Sequence, residues 1–263
     1  MIKFCSLYSG SSGNSIFISS GRTKLLIDSG LSGKKIIEAL CAIGENPTEI
    51  CAILISHEHS DHTKGAGVLS RKFDIPIYAN EKTWCEMERA LGPVSAKNKM
   101  YFNTGCGFEI GDIFVNAFPI PHDAIEPVGF NFFVDNKKIT TATDIGHMNR
   151  QLLNHLEESD LLLIESNHDV EMLKMGKYPW YLKKRIMGDN GHLSNEMAGK
   201  VVAYLAENGT KRFVLGHLSR ENNFPQLAYQ TVSNILREKN IDIERDIMLS
   251  VASRSEVSKV VEV

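Results

Sequence analysis

Ile50-Cys51-Ala52-Ile53-Leu54-Ile55-Ser56-His57-Glu58-His59-Ser60-Asp61-His62 is the stretch on which the reading of this chain turns. Its first six residues are an unbroken apolar run, the pattern of a strand buried on both faces, not of an edge strand with one wet face. Where the run stops, four groups able to ligate a metal follow within six positions: His57, His59, Asp61 and His62. With nine His and twelve Asp in 263 residues, H-x-H-x-D-H arises by chance in roughly five of ten thousand such chains when matches are counted. Imidazole and carboxylate suit zinc and other borderline divalent ions. His57 and His59 can converge on one ion. Asp61 and His62, one step around the turn, can point to a second.

The rest of the chain frames that motif as part of a globular protein. At 263 residues and 29.3 kDa the length fits one large domain or two modest ones, and 1–263 is read as a single domain. A composition 43% hydrophobic and 23% charged rules out general disorder. Lys plus Arg is 29 and Asp plus Glu 32, so the net charge is 29 − 32 = −3. That excludes a wholly electrostatic coat for a polyanion; any such grip must come from a local basic patch. Five cysteines, Cys5, Cys41, Cys51, Cys85 and Cys106, are odd in number and lack metal-knuckle or redox spacing, which reads as free thiols in a reducing compartment. MIKFCSLYSGSSGNS has no signal-peptide h-region and no run of 18 apolar residues exists, so a soluble cytoplasmic protein with no membrane partner is expected. Nothing in the sequence assigns an oligomeric state.

Short apolar runs with turn residues between them predict strands at 2–7, 15–18 and 24–27, then a helix over 36–43 ending at Gly44. After the 50–55 strand, helical spacing runs from about His62 to Phe73, followed by a strand at 75–79 and a helix at 82–91. Strands are expected at 113–118, 128–134 and 138–142, with Asp135-Asn136 as a hairpin turn, and at 161–164, 212–215 and 247–251. Helices are expected at 195–207 and 225–239. Strands first, then alternation with helices, twice over, suggests a sheet sandwich covered by helices on both sides.

Two ions need more ligands. His122 in FPIPHD, Asp144 in ITTATD and His217 after FVLG each lie just past the C-terminal end of an expected strand, where a rigid scaffold can hold a site. Taken alone, each also reads as a surface or capping residue.

With these residues in order, the chain resembles the metallo-β-lactamase-fold hydrolases, whose five motifs would be Asp28, His57–His62, His122, Asp144 and His217. The resemblance covers essentially the whole chain. It implies an α/β (α+β) fold, the four-layer αββα metallo-β-lactamase sandwich, with a dinuclear site at the sheet edge. By that likeness His57, His59 and His122 hold one ion, Asp61, His62 and His217 the other, Asp144 bridges them, and Asp28 in LLIDSG supports the ligands. Zinc is the first choice, with manganese or iron(II) as alternatives. SLYSGSSGNS, IESNHD (164–169), GHLSN (191–195) and LGHLSRENN (215–223) are similar to the YycJ/WalJ-type branch, related to ribonuclease Z and other phosphodiester-cleaving members. That likeness implies a nuclease, a 5′-to-3′ exonuclease on DNA rather than RNA, using a metal-bound hydroxide. Asp61 would ligate and also accept a proton, and Glu165 with His192, at equivalents of proton-relay positions, would protonate the departing oxygen. His192 also reads simply as a residue before a helix start. His168 either supports the site or hydrogen-bonds Asp169.

Phosphate contacts are sought locally. Ser9–Ser15, with Ser12 and Asn14, either presents backbone N–H groups to an anion or is a plain turn. Arg220, Asn222 and Asn223 follow His217 and could hold phosphate oxygens. Residues 171–190 carry Lys174, Lys177, Lys183, Lys184 and Arg185 against Glu171 and Asp189, a net of 5 − 2 = +3, with Tyr178, Trp180 and Tyr181 interleaved. That suits backbone contact plus base stacking, chiefly through Lys183 and Lys184; a helical hairpin with its aromatics packed inward is the other reading. The same ligands would serve a small-molecule hydrolase, a thioesterase of the glyoxalase II kind or a lactonase, or survive in a non-catalytic binder of this fold. The basic insert and the GHLSRENN tail favour the nuclease.

Overall fold

A computed structural model of the chain describes residues 2–263. By internal contacts it divides into two compact units. One gathers the residues up to Pro119 with Ala124–Asp135 and Ser253–Val263; the other holds Ile120–Asp123 and Asn136–Ala252.

The first unit opens with β1 (Lys3–Tyr8), β2 (Ser15–Ser19), β3 (Lys24–Ile27), α1 (Gly33–Ala42) and β4 (Ala52–Leu54). Then come α2 (Ser60–Thr63), α3 (Ala66–Phe73), β5 (Ile77–Ala79), α4 (Glu81–Leu91), β6 (Lys99–Tyr101), β7 (Gly107–Ile110), β8 (Ile113–Pro119) and β9 (Val128–Val134). The second unit runs through β10 (Lys137–Ala142), α5 (Arg150–Leu156), β11 (Leu161–Glu165), α6 (Val170–Met175) and α7 (Trp180–Met187). It ends with α8 (Asn195–Glu207), β12 (Arg212–Gly216), α9 (Pro225–Glu238) and β13 (Met248–Val251); β14 (Val261–Glu262) returns to the first unit. The strands form two seven-stranded sheets, in the orders β14-β1-β2-β3-β4-β5-β6 and β13-β12-β11-β10-β9-β8-β7.

β4 is the buried central strand that its apolar run demands. It pairs in parallel with β3 (Ile27 opposite Leu54) and with β5 (Ile53 opposite Ile77), and all three of its residues are buried. The face it shares with Leu26 and Ile77 closes against Ile36, Ala39 and Leu40 of α1 and Leu69 of α3. Each Leu or Ile among them contributes about 1.5–3 kcal/mol on burial. α1 starts where the Ser32 hydroxyl accepts from Lys35 N at 3.4 Å and stops before Gly44, whose φ of +77° lets the chain turn back.

The helix expected from His62 to Phe73 is broken in two. Gly65 separates α2 from α3, and a Cβ there would lie 2.3 Å from the carbonyl oxygen of Leu31. The sheet-side loop passes too close for a continuous helix with side chains all round. β6, β7, α5 and the two-residue β14 carry too little periodicity to be read from sequence; α6 and α7 fall in residues 171–190, where a helical hairpin is one of the two readings. All five cysteines are free. Among the described residues no helix is long and apolar enough to cross a membrane.

In the second unit β10, β11, β12 and β13 run parallel and in step: Ala142 lies opposite Ile164, Ile164 opposite Leu215, and Leu215 opposite Val251. Their C-terminal ends are therefore level, and residues just beyond them emerge side by side.

Candidate metal centre

In the first unit, His57 and His59 sit on the loop after β4, and Asp61 and His62 lie in the single turn of α2. His57 Nε2 and His59 Nδ1 face each other at 3.0 Å, while His57 Nδ1 is 3.0 Å from the Ser56 hydroxyl. His62 is wholly buried; its Nδ1 bonds Asp28 Oδ2 at 2.8 Å, which turns Nε2 toward Asp61 Oδ2, 3.6 Å away. Asp28 also accepts from Ser56 N (2.8 Å) and from the Ser56 hydroxyl (2.9 Å). One buried carboxylate thus holds both the start of the motif and the tautomer of its last residue. Gly30, two residues on, is a steric necessity: a Cβ there would be 1.6 Å from the Asp61 carbonyl oxygen.

Asn14 braces the same loop from β2's approach. Its N–H donates to Asp61 O at 2.8 Å, its side-chain oxygen accepts from Gly10 N at 2.9 Å, and its Nδ2 lies 3.1 Å from His62 Nε2. Gly13 N donates to Gly10 O as well. Four backbone donors of the Ser9–Ser15 turn, those of Ser9, Gly10, Gly13 and Asn14, are therefore engaged inside the protein. Asn14 is a buried brace, and only Ser12 of that pair is exposed.

In the second unit, Asp144 and His217 lie just past the level ends of β10 and β12, and Glu165 is the last residue of β11. Asp144 and His217 adopt φ of +61° and +56°, and Asp28 has φ of +60°. These left-handed values cost a non-glycine residue and cluster at functional sites. Glu165 is completely buried and accepts four hydrogen bonds. Oε1 takes Nδ1–H from His217 (2.7 Å) and His192 (2.8 Å); Oε2 takes the backbone N–H of Ile145 (2.7 Å) and Leu193 (3.0 Å). Asp144 Oδ1 lies 3.5 Å from His217 Nδ1 and 3.7 Å from His122 Nε2, and His122 Nδ1 is 3.1 Å from the Gly191 carbonyl oxygen. Asp144, Glu165, His192 and His217 offer ligand atoms within 4.8 Å of one another.

The charges follow from this packing. Burial by itself raises the Glu165 carboxyl, but the His192 charge and the hydrogen bonds from His192 and His217 outweigh it and hold the group far below the carboxylate range. Burial likewise lowers His192, yet the Glu165 charge and hydrogen bond lift it above the ordinary imidazole value. His122 falls below that value through burial, against the pull of Asp144.

The donor set fits divalent ions. His57, His62, His122 and His217 each have Nδ1 at a hydroxyl, carboxylate or carbonyl, so Nε2 is the ring atom that presents a lone pair. That is how outer partners orient metal-binding imidazoles.

Three expected substrate contacts are buried. Lys183 is buried, its Nζ donating to the Lys174 carbonyl oxygen at 2.6 Å, so it ties α7 to α6 instead of meeting a strand. Asn222 is 1% exposed and cannot reach a phosphate from there; its backbone carbonyl accepts from Asp169 N. Asn223 forms a reciprocal amide pair with Asn195 (3.1 and 2.8 Å) and donates to Ser166 O at 2.9 Å. Asn167 donates to His217 O at 2.9 Å. This buried amide web joins the IESNHD, GHLSN and LGHLSRENN segments and was not foreseen; three Asn-bearing segments beside strand ends were its only signal. Arg220 is exposed next to Glu221. Lys174 pairs with Glu171 and Arg185 with Asp123. Trp180 and Tyr181 are exposed, at 61% and 75%, with Lys184 Nζ 5.5 Å from the Trp180 ring. The inward-packed reading of those aromatics fails. Asp169 caps α6 by accepting from Met172 N at 2.8 Å.

Residues 23–218 match the Beta-lactamase superfamily domain. The chain is 45% identical over 246 residues to exodeoxyribonuclease WalJ of Streptococcus pneumoniae, covering 93% of this chain and 91% of that one. It is 44% identical over 243 residues to exodeoxyribonuclease YycJ of Bacillus anthracis, covering 92% of each. In architecture it is similar to the crystal structure of the metallo-β-lactamase fold protein YhfI from Bacillus subtilis, with a TM-score of 0.74 at 15% identity over 98% of this chain and 100% of that one. The two-sheet α/β fold is therefore the metallo-β-lactamase fold, and the chain belongs to the metal-dependent hydrolases of the β-lactamase superfamily, in the family of WalJ and YycJ.

Proposed function

We propose that this protein is an exonuclease that degrades DNA from the 5′ end, cutting each phosphodiester to leave a 5′-phosphate. What carries the reading is identity of 44–45% with two exodeoxyribonucleases over more than nine-tenths of their lengths. The small-molecule hydrolase and the non-catalytic binder have no comparable support. We take the whole chain as one domain working in the cytoplasm, in keeping with five free cysteines.

His57, His59 and His122 would hold one divalent ion, Asp61, His62 and His217 a second, with Asp144 bridging; zinc is the first choice, manganese or iron(II) the alternatives. Such a pair supplies charge to the phosphate oxygens and acidifies water at neutral pH. The chain's own groups do the rest. Asp28 and Glu165 fix the tautomers of His62 and His217. Asp61, part-exposed at the start of α2, takes the proton of the attacking water. His192, with Nδ1 held by Glu165, presents Nε2 to the departing 3′-oxygen and gives it a proton. Lys177, Lys184, Trp180 and Tyr181, all exposed on α7 and its approach, contact the strand by charge and stacking; Ser12 and Arg220 remain candidate phosphate contacts.

The test is digestion of 5′- and 3′-labelled single- and double-stranded DNA and RNA by protein loaded with each metal, beside elemental analysis. The expected result is mononucleotides from the 5′ end of DNA and two ions per chain. Products from RNA alone, or full activity with one ion, would overturn the corresponding part.

A further inference from the structure

A cavity of about 370 Å³ opens beside His192 in the second unit. Met148, Met187 and Met197 line it, with Val170, Leu193 and the ring of His168. His168 is 2% exposed, and its Nδ1 has no hydrogen-bond partner among the described residues. A buried polar atom in that state is costly, and a ligand that engages it removes the cost. Other polar atoms of the wall have partners: the Ser194 hydroxyl accepts from Met197 N at 3.2 Å, His147 Nδ1 bonds the Asp189 carbonyl at 2.8 Å and His192 Nδ1 is held by Glu165 at 2.8 Å. No lysine or arginine lines the cavity. Burial pushes His168 down to about 4, so its ring is neutral at pH 7. The one cationic group of the wall, His192, is already paired with Glu165 at 2.8 Å, whereas a flat, uncharged group finds thioethers and aliphatic carbons to lie against and the His168 imidazole to hydrogen-bond. The volume lies in the range of small-molecule pockets.

We infer that this cavity takes the nucleobase of the end nucleotide, beside the phosphodiester that is cut, with His168 hydrogen-bonding the base edge. The inference rests on the nuclease reading and deepens it. Thioether walls tolerate every base, so the pocket selects for the presence of a base, not for its identity. The base is thereby anchored next to His192, whose proton goes to the departing oxygen.

The experiment compares kcat/KM of the metal-loaded, full-length protein on an oligonucleotide with an ordinary end and on one whose end nucleotide is an abasic tetrahydrofuran. Wild type should prefer the base-bearing end at least tenfold, the scale of one base–side-chain stack. Met197→Trp, which fills the cavity from an exposed position on α8, should bring that ratio toward one, and His168→Gln should reduce it. Should Met197→Trp melt well below wild type, Met148→Trp replaces it. A wild-type ratio near one, or a ratio unchanged by both tryptophans, overturns the pocket alone. Hydrolysis of bis(p-nitrophenyl) phosphate with no cleavage of any strand overturns the nuclease reading and the pocket with it.

Discussion

Glu165→Gln is the substitution whose consequence the geometry determines most fully. The carboxylate accepts from four donors, two imidazoles on Oε1 and two backbone N–H groups on Oε2, all at 2.7–3.0 Å. Glutamine has nearly the same shape but offers one oxygen and one NH2. The N–H groups of Ile145 and Leu193 cannot reverse, so the amide oxygen must face them and the NH2 must face the rings. Each imidazole then either loses its bond or moves its proton from Nδ1 to Nε2. An unsatisfied buried group costs about 1–3 kcal/mol, so leaving both rings unpartnered costs about 2–6 kcal/mol, and the tautomer shift is the cheaper path. It puts a proton on His217 Nε2, the atom that would bind metal. Changes in such outer partners typically cost 10–100-fold in metal affinity or activity, and Glu165→Gln should fall there. Metal affinity is read by competition with a chromophoric chelator, and the tautomers by long-range ¹H–¹⁵N spectra of the histidine rings. A variant that keeps wild-type metal affinity, with His192 and His217 still protonated on Nδ1, would refute the orienting role of Glu165.

His192→Ala should retain metal and strand affinity while kcat on DNA falls by about 10²–10⁴-fold, the usual worth of a general acid; the loss should shrink on p-nitrophenyl esters, whose leaving group needs no proton, and an equal loss on both would remove the role. Charge reversal at Lys177 and Lys184 should weaken single-strand binding and reduce the slope of log K against log salt by about 0.7 per lost phosphate contact, measured by fluorescence anisotropy at several salt concentrations. Asp112 lies outside the site: hydrogen bonds from Thr23 and Ser20 hold its carboxyl down at about 2. A depressed carboxylate stabilises the fold above its unfolded value of 3.8, and that contribution fades as pH falls toward the folded value. Asp112→Asn should therefore melt below wild type at pH 7, with the gap closing between pH 4 and pH 2.

Local order was enough to read much of this protein. An apolar run of six residues that stops at a Ser-His turn suits a strand covered on both sides, and its centre, Ala52–Leu54, is buried β4; a Ser-Asn-Glu start ahead of helical spacing placed α8 at Asn195–Glu207. The candidate ligands were legible because chemistry at strand ends needs particular side chains, and His57–His62, His122, Asp144 and His217 stand where strands stop. What sequence could not decide was direction. Lys183 and Lys184 are adjacent and identical in type, yet 100° of helical rotation sends one inward to the Lys174 carbonyl and leaves the other beside Trp180. Asn14, Asn222 and Asn223 carry groups that suit a phosphate equally well, but the strands and loops around them bury all three. Glu165 joins His192 to His217 only because parallel β11 and β12 align Glu165 with Gly216, a register that long-range pairing sets and local sequence does not.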